Sequence, residues 1–341
     1  MTDGQSGPPP NFMLQQLIGG SLATNLVYIA AELGIADQLA AGPRKAEDVA
    51  AATGAKADPL KRIMRGLAVL GVVAQTPEGA FSLTPLGQGL RSDVAGSMRT
   101  TARLQGHPVT QRAFGALIDT VRTGQPGFDL AHGNDFFVYL ENHDDFNALF
   151  NDFMGGVTDA AVAAIIPAYD FADVRTVVDV GGGKGALVRA ALRANDQLEG
   201  TITDMHILTR QAEDAIARDG LTARCRFVEA DFFEFVPPGA DAYFLKSVIH
   251  DWDDERALRI YSTVRQAMRD DSRLLVVEAV NEAETVRPDV IIGDLIMLTM
   301  APGRERSEAE HRDLLSRAGL RLERIIPTAS GSSILEAWPA K

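Results

Sequence analysis

Val177-Val178-Asp179-Val180 runs straight into Gly181-Gly182-Gly183-Lys184-Gly185. A β-branched run that ends in clustered glycines is a strand followed by a turn that a Cβ would block. No other segment narrows the possible folds as much. A strand of this kind belongs to an open parallel sheet, where ligands bind beyond the carboxyl ends of the strands.

The surrounding sequence supports such a sheet. From Phe171 to Lys341, strand and helix patterns alternate, with candidate strands at Thr176–Val180, Thr201–Thr203, Arg224–Glu229, Ala242–Leu245 and Arg273–Ala279. Leu320–Pro327 and Ser332–Ala337 read as two final strands joined at Ala329-Ser330-Gly331. Five βα units followed by a hairpin predict a Rossmann-like, doubly wound, mostly parallel α/β sheet with a C-terminal antiparallel hairpin.

The preceding sequence divides further. Residues 1–10 are polar and rich in Pro and Gly, the composition of a disordered tail. Residues 11–93 begin with a long apolar helical pattern to Ala41, softened at Gly19-Gly20 and Gly34. Two short helices follow, Lys45–Ala52 and Asp58–Leu70, with Asp58 as the expected N-cap before Pro59. Gly71–Leu86 alternates like a hairpin with Pro77-Glu78-Gly79 at its tip, which completes a winged-helix pattern. Residues 94–170 carry helical patterns without a strand signal. Phe146, Phe150, Phe153 and Met154 recur there at helical spacing, as a core stripe or as the wall of an apolar ligand pocket. Residues 171–341 form the sheet-bearing unit.

Composition limits the partners. The 341-residue chain has a net charge of −13 and a pI near 4.9, which argues against nucleic acid or an anionic membrane as partner. Its most apolar stretch, Val290–Met300, contains Asp294, is too short to span a bilayer, and reads as a buried helix. One cysteine, Cys225, excludes an intramolecular disulfide and fits the reducing cytoplasm.

Acidic residues at strand ends sharpen the ligand reading. Asp204 can take both hydroxyls of a ribose; Asp231 can accept from an exocyclic amine while Phe232 packs on a purine. The loop is no P-loop, because Lys184 is followed by glycine. His250 follows the fourth sheet strand, in Lys246-Ser247-Val248-Ile249-His250-Asp251-Trp252. A histidine there is a natural general base near neutral pH, with Glu278 and Glu305 placed to bracket it and Asp251 placed to cap the next helix. His107, His132, His143, His206 and His311 lack metal-ligand spacing, so no metal is expected.

Taken together, VVDVGGGKG, Asp204, Glu229-Ala230-Asp231-Phe232-Phe233, Leu245-Lys246, His250-Asp251-Trp252-Asp253-Asp254-Glu255, Glu278 and Arg304-Glu305-Arg306 resemble the S-adenosylmethionine-dependent O-methyltransferases of the caffeic-acid and hydroxyindole type, including bacterial natural-product members. The resemblance covers nearly the whole chain. It implies Gly181, Gly183, Asp204, Asp231, Phe232 and Lys246 at S-adenosylmethionine, with S-adenosylhomocysteine as product. It implies His250 as base with Glu278 and Glu305 beside it, and an acceptor pocket of Phe150, Met154, Asp294, Met297 and Met300. The acceptor would be an aromatic hydroxylated small molecule, and the winged-helix part a homodimerisation element. Met205 stands where plant members carry Leu-Pro, and the loop before Glu305 is one residue shorter, which bears on substrate identity. Some members of the family are hydroxylases or decarboxylases. Two rivals from other classes are a winged-helix, ligand-responsive regulator and a nicotinamide enzyme. Lys61, Arg62 and Arg65 favour the regulator, whereas the charge balance of residues 1–100 opposes it.

Overall fold

The computed structural model describes residues 9–281 and 287–341, so most of the expected N-terminal tail lies outside the described residues. The chain divides into two compact units, residues 1–112 with 148–153, and residues 113–147 with 154–341.

The first unit starts with α1 (Pro10–Ile18), α2 (Gly20–Glu32) and α3 (Ile35–Gln38). The expected long helix is thus cut at Gly19 and at Gly34, whose φ of 62° is costly for residues with a Cβ. α4 (Ala46–Thr53), α5 (Ala57–Val69) and a hairpin of β1 (Val73–Gln75) and β2 (Phe81–Leu83) follow. Asp58 is not the N-cap: the cap is Lys56, two residues earlier, and Asp58 sits in the first turn, where its charge favours the helix dipole. Leu26, Ile35, Val49, Leu60, Met64, Leu67 and Phe81 form the core of this unit. α6 (Pro85–Gln88) and α7 (Arg99–Gly106) follow. By contrast α1 buries no residue: Phe12, Met13, Leu14, Leu17 and Ile18 are exposed, as is Leu22 of α2.

Short helices α8 (Pro108–Gly115), α9 (Leu117–Thr123), α10 (Gly127–His132) and α11 (Phe136–Glu141) lead to the long α12 (Asp144–Ile165). By length and composition, Asp144–Ala168 passes the test for a membrane-crossing segment, with mean hydropathy 1.3. Its first turn carries Asp144 and Asp145, and its end packs into protein, with Ile165 and Ile166 in a buried cluster beside β-strand residues. Only 12% of its apolar window is buried, so the burial among the described residues is confined to Phe146, Leu149 and the end of the helix.

The second unit holds β3 (Thr176–Val180), α13 (Ala186–Ala194), β4 (Glu199–Asp204), α14 (Thr209–Arg218), β5 (Cys225–Glu229), β6 (Ala242–Lys246), α15 (Asp254–Ala267), β7 (Arg273–Glu278), α16 (Pro288–Met300), α17 (Glu308–Arg317), β8 (Leu320–Pro327) and β9 (Ser333–Pro339). The sheet order is β5-β4-β3-β6-β7-β9-β8. The first five strands are parallel, and β9 and β8 close the edge antiparallel. One departure from the expected βα alternation is that no helix follows β5. Pro237-Pro238 lies in that connection and disfavours a helix. One face packs Val178, Tyr243, Leu245, Tyr261 and Leu314, and the other packs Val177, Leu187, Leu192, Ile202 and Phe244. Strand order reverses between β3 and β6, so the crevice at their carboxyl ends is where this topology places a ligand.

Candidate active site

The glycine loop leaves β3 at that crevice. Gly181, Gly183 and Gly185 have φ of 67°, 59° and 74°. At Gly185 a Cβ would lie 2.1 Å from Ile202, so glycine lets α13 close on β4. At Gly183 a Cβ would meet nothing within 4 Å, so the backbone there faces open space that a ligand can enter. Asp204, at the end of β4, accepts the Gly183 N–H on Oδ2 at 2.8 Å and the Met205 N–H on Oδ1 at 2.7 Å. Asp231 lies two residues beyond β5 and accepts the Phe233 N–H at 2.9 Å. Phe232 and Phe233 pack on each other and on Trp252. Open backbone at Gly183, a carboxylate beside it, and a second carboxylate next to an aromatic ring fit the chemistry of a nucleoside cofactor.

Two features of this end of the sheet escaped the sequence reading. Asp179 is 2% exposed, and burial pushes its carboxyl up to about 7 despite the Lys246 charge nearby. An acid inside an otherwise apolar strand was the available signal. Lys246 is held by the Thr158 and Ser247 hydroxyls at 3.2 and 3.1 Å, and burial lowers its pKa. Ser247 carries the second feature: its φ of 53° makes it the one non-glycine residue with positive φ among the described residues. Strain of that kind often marks a functional turn.

The turn that follows carries His250. Glu278, at the end of β7, accepts the N–H groups of Val248, Ile249 and His250 on Oε1 at 3.2, 2.7 and 3.1 Å. It therefore meets the backbone of the turn. Glu305 meets the ring: His250 Nδ1 lies 3.0 Å from its Oε1. Asp251 Oδ1 lies 3.5 Å from Nε2. Burial alone would lower the imidazole pKa, but Asp251, Glu305 and Glu278 outweigh it and push the ring up to about 10. Burial raises Asp251 to about 7 and also raises Glu278. Three carboxylates therefore favour the imidazolium. Asp251 does not cap α15; Asp253 does, accepting the Arg256 N–H at 2.8 Å, because the turn ends two residues later than its sequence suggested.

Near the ring, Asp294 of α16 accepts the Glu305 N–H at 2.9 Å, so one of its oxygens supports the loop that holds the ring. Met154, Met297 and Met300 are half-buried in the second unit. Phe150, on the α12 stretch 148–153, belongs with the first unit. Among the described residues, no group of His, Cys, Asp and Glu has the arrangement of a metal site.

Comparison with known proteins identifies the family. An O-methyltransferase domain model matches residues 114–321, and an O-methyltransferase dimerisation domain model matches residues 15–93. The chain is 39% identical to the phenazine O-methyltransferase PhzM of Lysobacter antibioticus, over 97% of each chain. It is 34% identical to the 8-amino-8-demethylriboflavin N,N-dimethyltransferase of Streptomyces davaonensis, over 91% of this chain and 90% of that protein. A solved relative is the O-methyltransferase NcsB1 of neocarzinostatin biosynthesis, in complex with S-adenosylmethionine and 2-hydroxy-5-methyl naphthoic acid. That match has a TM-score of 0.85 at 35% identity, over 93% of this chain and 96% of that one. The chain belongs to the O-methyltransferase family, and it is a methyltransferase.

Proposed function

We propose that this chain transfers a methyl group from S-adenosylmethionine to a hydroxyl of an aromatic small molecule, with His250 accepting the hydroxyl proton. The observation that carries the reading is the hold on the ring. Glu305 occupies Nδ1 and fixes the tautomer, so Nε2, 3.5 Å from Asp251, is the nitrogen that would meet an acceptor on the carboxyl side of the sheet.

When bound, S-adenosylmethionine supplies a methyl group carried on a sulfonium. Gly181 and Gly183 would let the backbone approach it, Asp204 would hold the ribose hydroxyls, Asp231 and Phe232 the adenine, and Lys246 would complete the cofactor site. His250 receives the proton from the acceptor hydroxyl at Nε2 while Glu305 and Asp251 stabilise the imidazolium. A phenol near pKa 10 is matched by a base of similar proton affinity. The reacting state is the one in which hydroxyl and ring share a single proton, and that state grows as pH rises. Alignment contributes several kcal/mol of the barrier reduction, and the base about 10²–10⁴ in rate. Met154, Met297 and Met300 offer adaptable apolar surface to an aromatic acceptor.

The test is product formation from methyl-labelled cofactor across an acceptor panel: hydroxyphenazines, hydroxynaphthoic acids and aminated flavins. The N,N-dimethyltransferase relative supports amine acceptors as a second reading. O-methylated products support the proposal. Products methylated only on nitrogen favour the second reading, and no product from any hydroxyl acceptor contradicts the first.

The chain also acts as a homodimer through its first unit. The support is the match of residues 15–93 to a dimerisation domain and the uncovered apolar face of α1 and α2. Light scattering at micromolar concentration should give twice the 36.6 kDa chain mass, and a monomeric mass would refute this.

A further inference from the structure

Arg306 is fully buried, at 0% exposure. Its Nη1 donates to the Ile249 carbonyl at 2.9 Å and its Nη2 to the Trp252 carbonyl at 2.7 Å. Those carbonyls flank the residue that bears the proposed base. Nε and Nη2 also reach Asp254 Oδ1 at 3.1 and 2.9 Å, which supplies the opposite charge a buried guanidinium needs. Glu278 holds the same turn by three N–H groups, so one buried anion grips its donors and one buried cation its acceptors.

The preceding residue completes the arrangement. Glu305 binds the His250 ring, while Arg306 binds the backbone on both sides of it. The dipeptide is itself anchored: Asp294 accepts the Glu305 N–H, and Asn281 N–H donates to the Arg306 carbonyl, each at 2.9 Å. Gly303 lets this loop sit against the turn, since a Cβ there would lie 1.8 Å from the His250 carbonyl oxygen. The contacts of Arg306 are thus with the backbone of the turn and with Asp254, and its bidentate fork suits two carbonyls better than a point charge would.

We propose that Arg306 is a positioning residue that keeps the His250 ring among its carboxylates by clamping the carbonyls of the turn. This deepens the reading of His250 as the base, but it can be tested without turnover.

The test is ¹⁵N NMR titration of the His250 ring in histidine-labelled full-length protein without acceptor. The charged groups around the ring are Asp251 on its own turn, Glu278 from β7 and Glu305 from the loop; His311 of α17 also couples to the ring, and Arg306 acts on Glu278 and His311. If Arg306 acted only through its charge, removing that cation would raise the imidazole pKa. If it positions the turn, its loss frees the ring from the carboxylates, and the pKa falls towards the ordinary 6.5. Arg306→Met should therefore lower the His250 pKa by at least roughly one unit, a tenfold loss in proton affinity. Arg306→Lys, which keeps the charge and loses the fork, should give a smaller fall, and S-adenosylhomocysteine affinity should persist in both. An unchanged or raised pKa in folded Arg306→Met overturns the proposal. If that variant does not fold, Arg306→Lys decides in the same way: a fall supports the clamp and an unchanged value overturns it. A finding that His250 is not the base would leave this result standing, because the titration reads ring placement alone.

Discussion

Asp204→Asn tests the cofactor end of the site through two separate quantities. In the free protein both carboxylate oxygens already accept backbone N–H groups, Gly183 at 2.8 Å and Met205 at 2.7 Å. An asparagine keeps one acceptor and turns an NH₂ group towards the other N–H. A part-buried donor left unpaired costs about 1–3 kcal/mol. For a unit of this size, that is a fall in Tm of roughly 2–4 °C per kcal/mol. Binding suffers separately. A charge-assisted hydrogen bond to a ribose hydroxyl is worth about 1.5–3 kcal/mol, so S-adenosylmethionine should bind about 10- to 150-fold more weakly. The hydroxyls are remote from the transferred methyl, so the bond counts equally in ground and transition states, and kcat at saturation should hold. Calorimetric titration and a thermal melt on the same samples measure both effects. Unchanged affinity would refute the ribose assignment. A lowered Tm with unchanged affinity would leave Asp204 as a support of the glycine loop alone.

Two further outcomes follow from His250 and the loop that holds it. Because the folded state binds the His250 proton more tightly than an ordinary imidazole, the stability it contributes is fully present below about pH 6.5 and is lost as pH rises through about 10; in chemical denaturation, His250→Gln should flatten that alkaline decline, and an unchanged decline would contradict the raised pKa. Gly303→Ala places a methyl 1.8 Å from the His250 carbonyl oxygen and should cost up to about 10² in kcat with cofactor affinity retained, whereas full activity would show that the loop is not packed on the turn as described.

Much of the sheet was legible because its signals are local. Thr176–Val180 and Leu320–Pro327 have the expected bounds, since β-branched and aliphatic runs bounded by glycine or proline carry their own pattern. Helix starts were less legible. Asp58 and Asp251 are both plausible caps by residue type, yet Lys56 and Asp253 occupy the capping positions, because a cap is chosen by where the backbone turns. The sequence reading placed His250, Glu278 and Glu305 together but could not divide their roles. Glu278 meets the backbone and Glu305 the ring, a distinction that depends on the register of β7 and on a loop 55 residues from the histidine. The roles of Asp294 and Arg306 were not legible either, since each shows only once the loop is packed on the turn. The raised imidazole pKa depends on three carboxylates from three segments and has no local signature.

The central claim is that His250 removes the acceptor proton. It is tested most directly by the ratio of wild-type to His250→Ala kcat, measured across phenols of graded acidity and across pH. The account predicts a ratio of about 10²–10⁴ for a phenol near pKa 10, which shrinks for acidic phenols that ionise unaided and shrinks again for any phenol as pH approaches its own pKa. A ratio that stays constant over both series would mean that His250 positions the acceptor and does not take its proton, and a ratio of one would place the chemistry elsewhere.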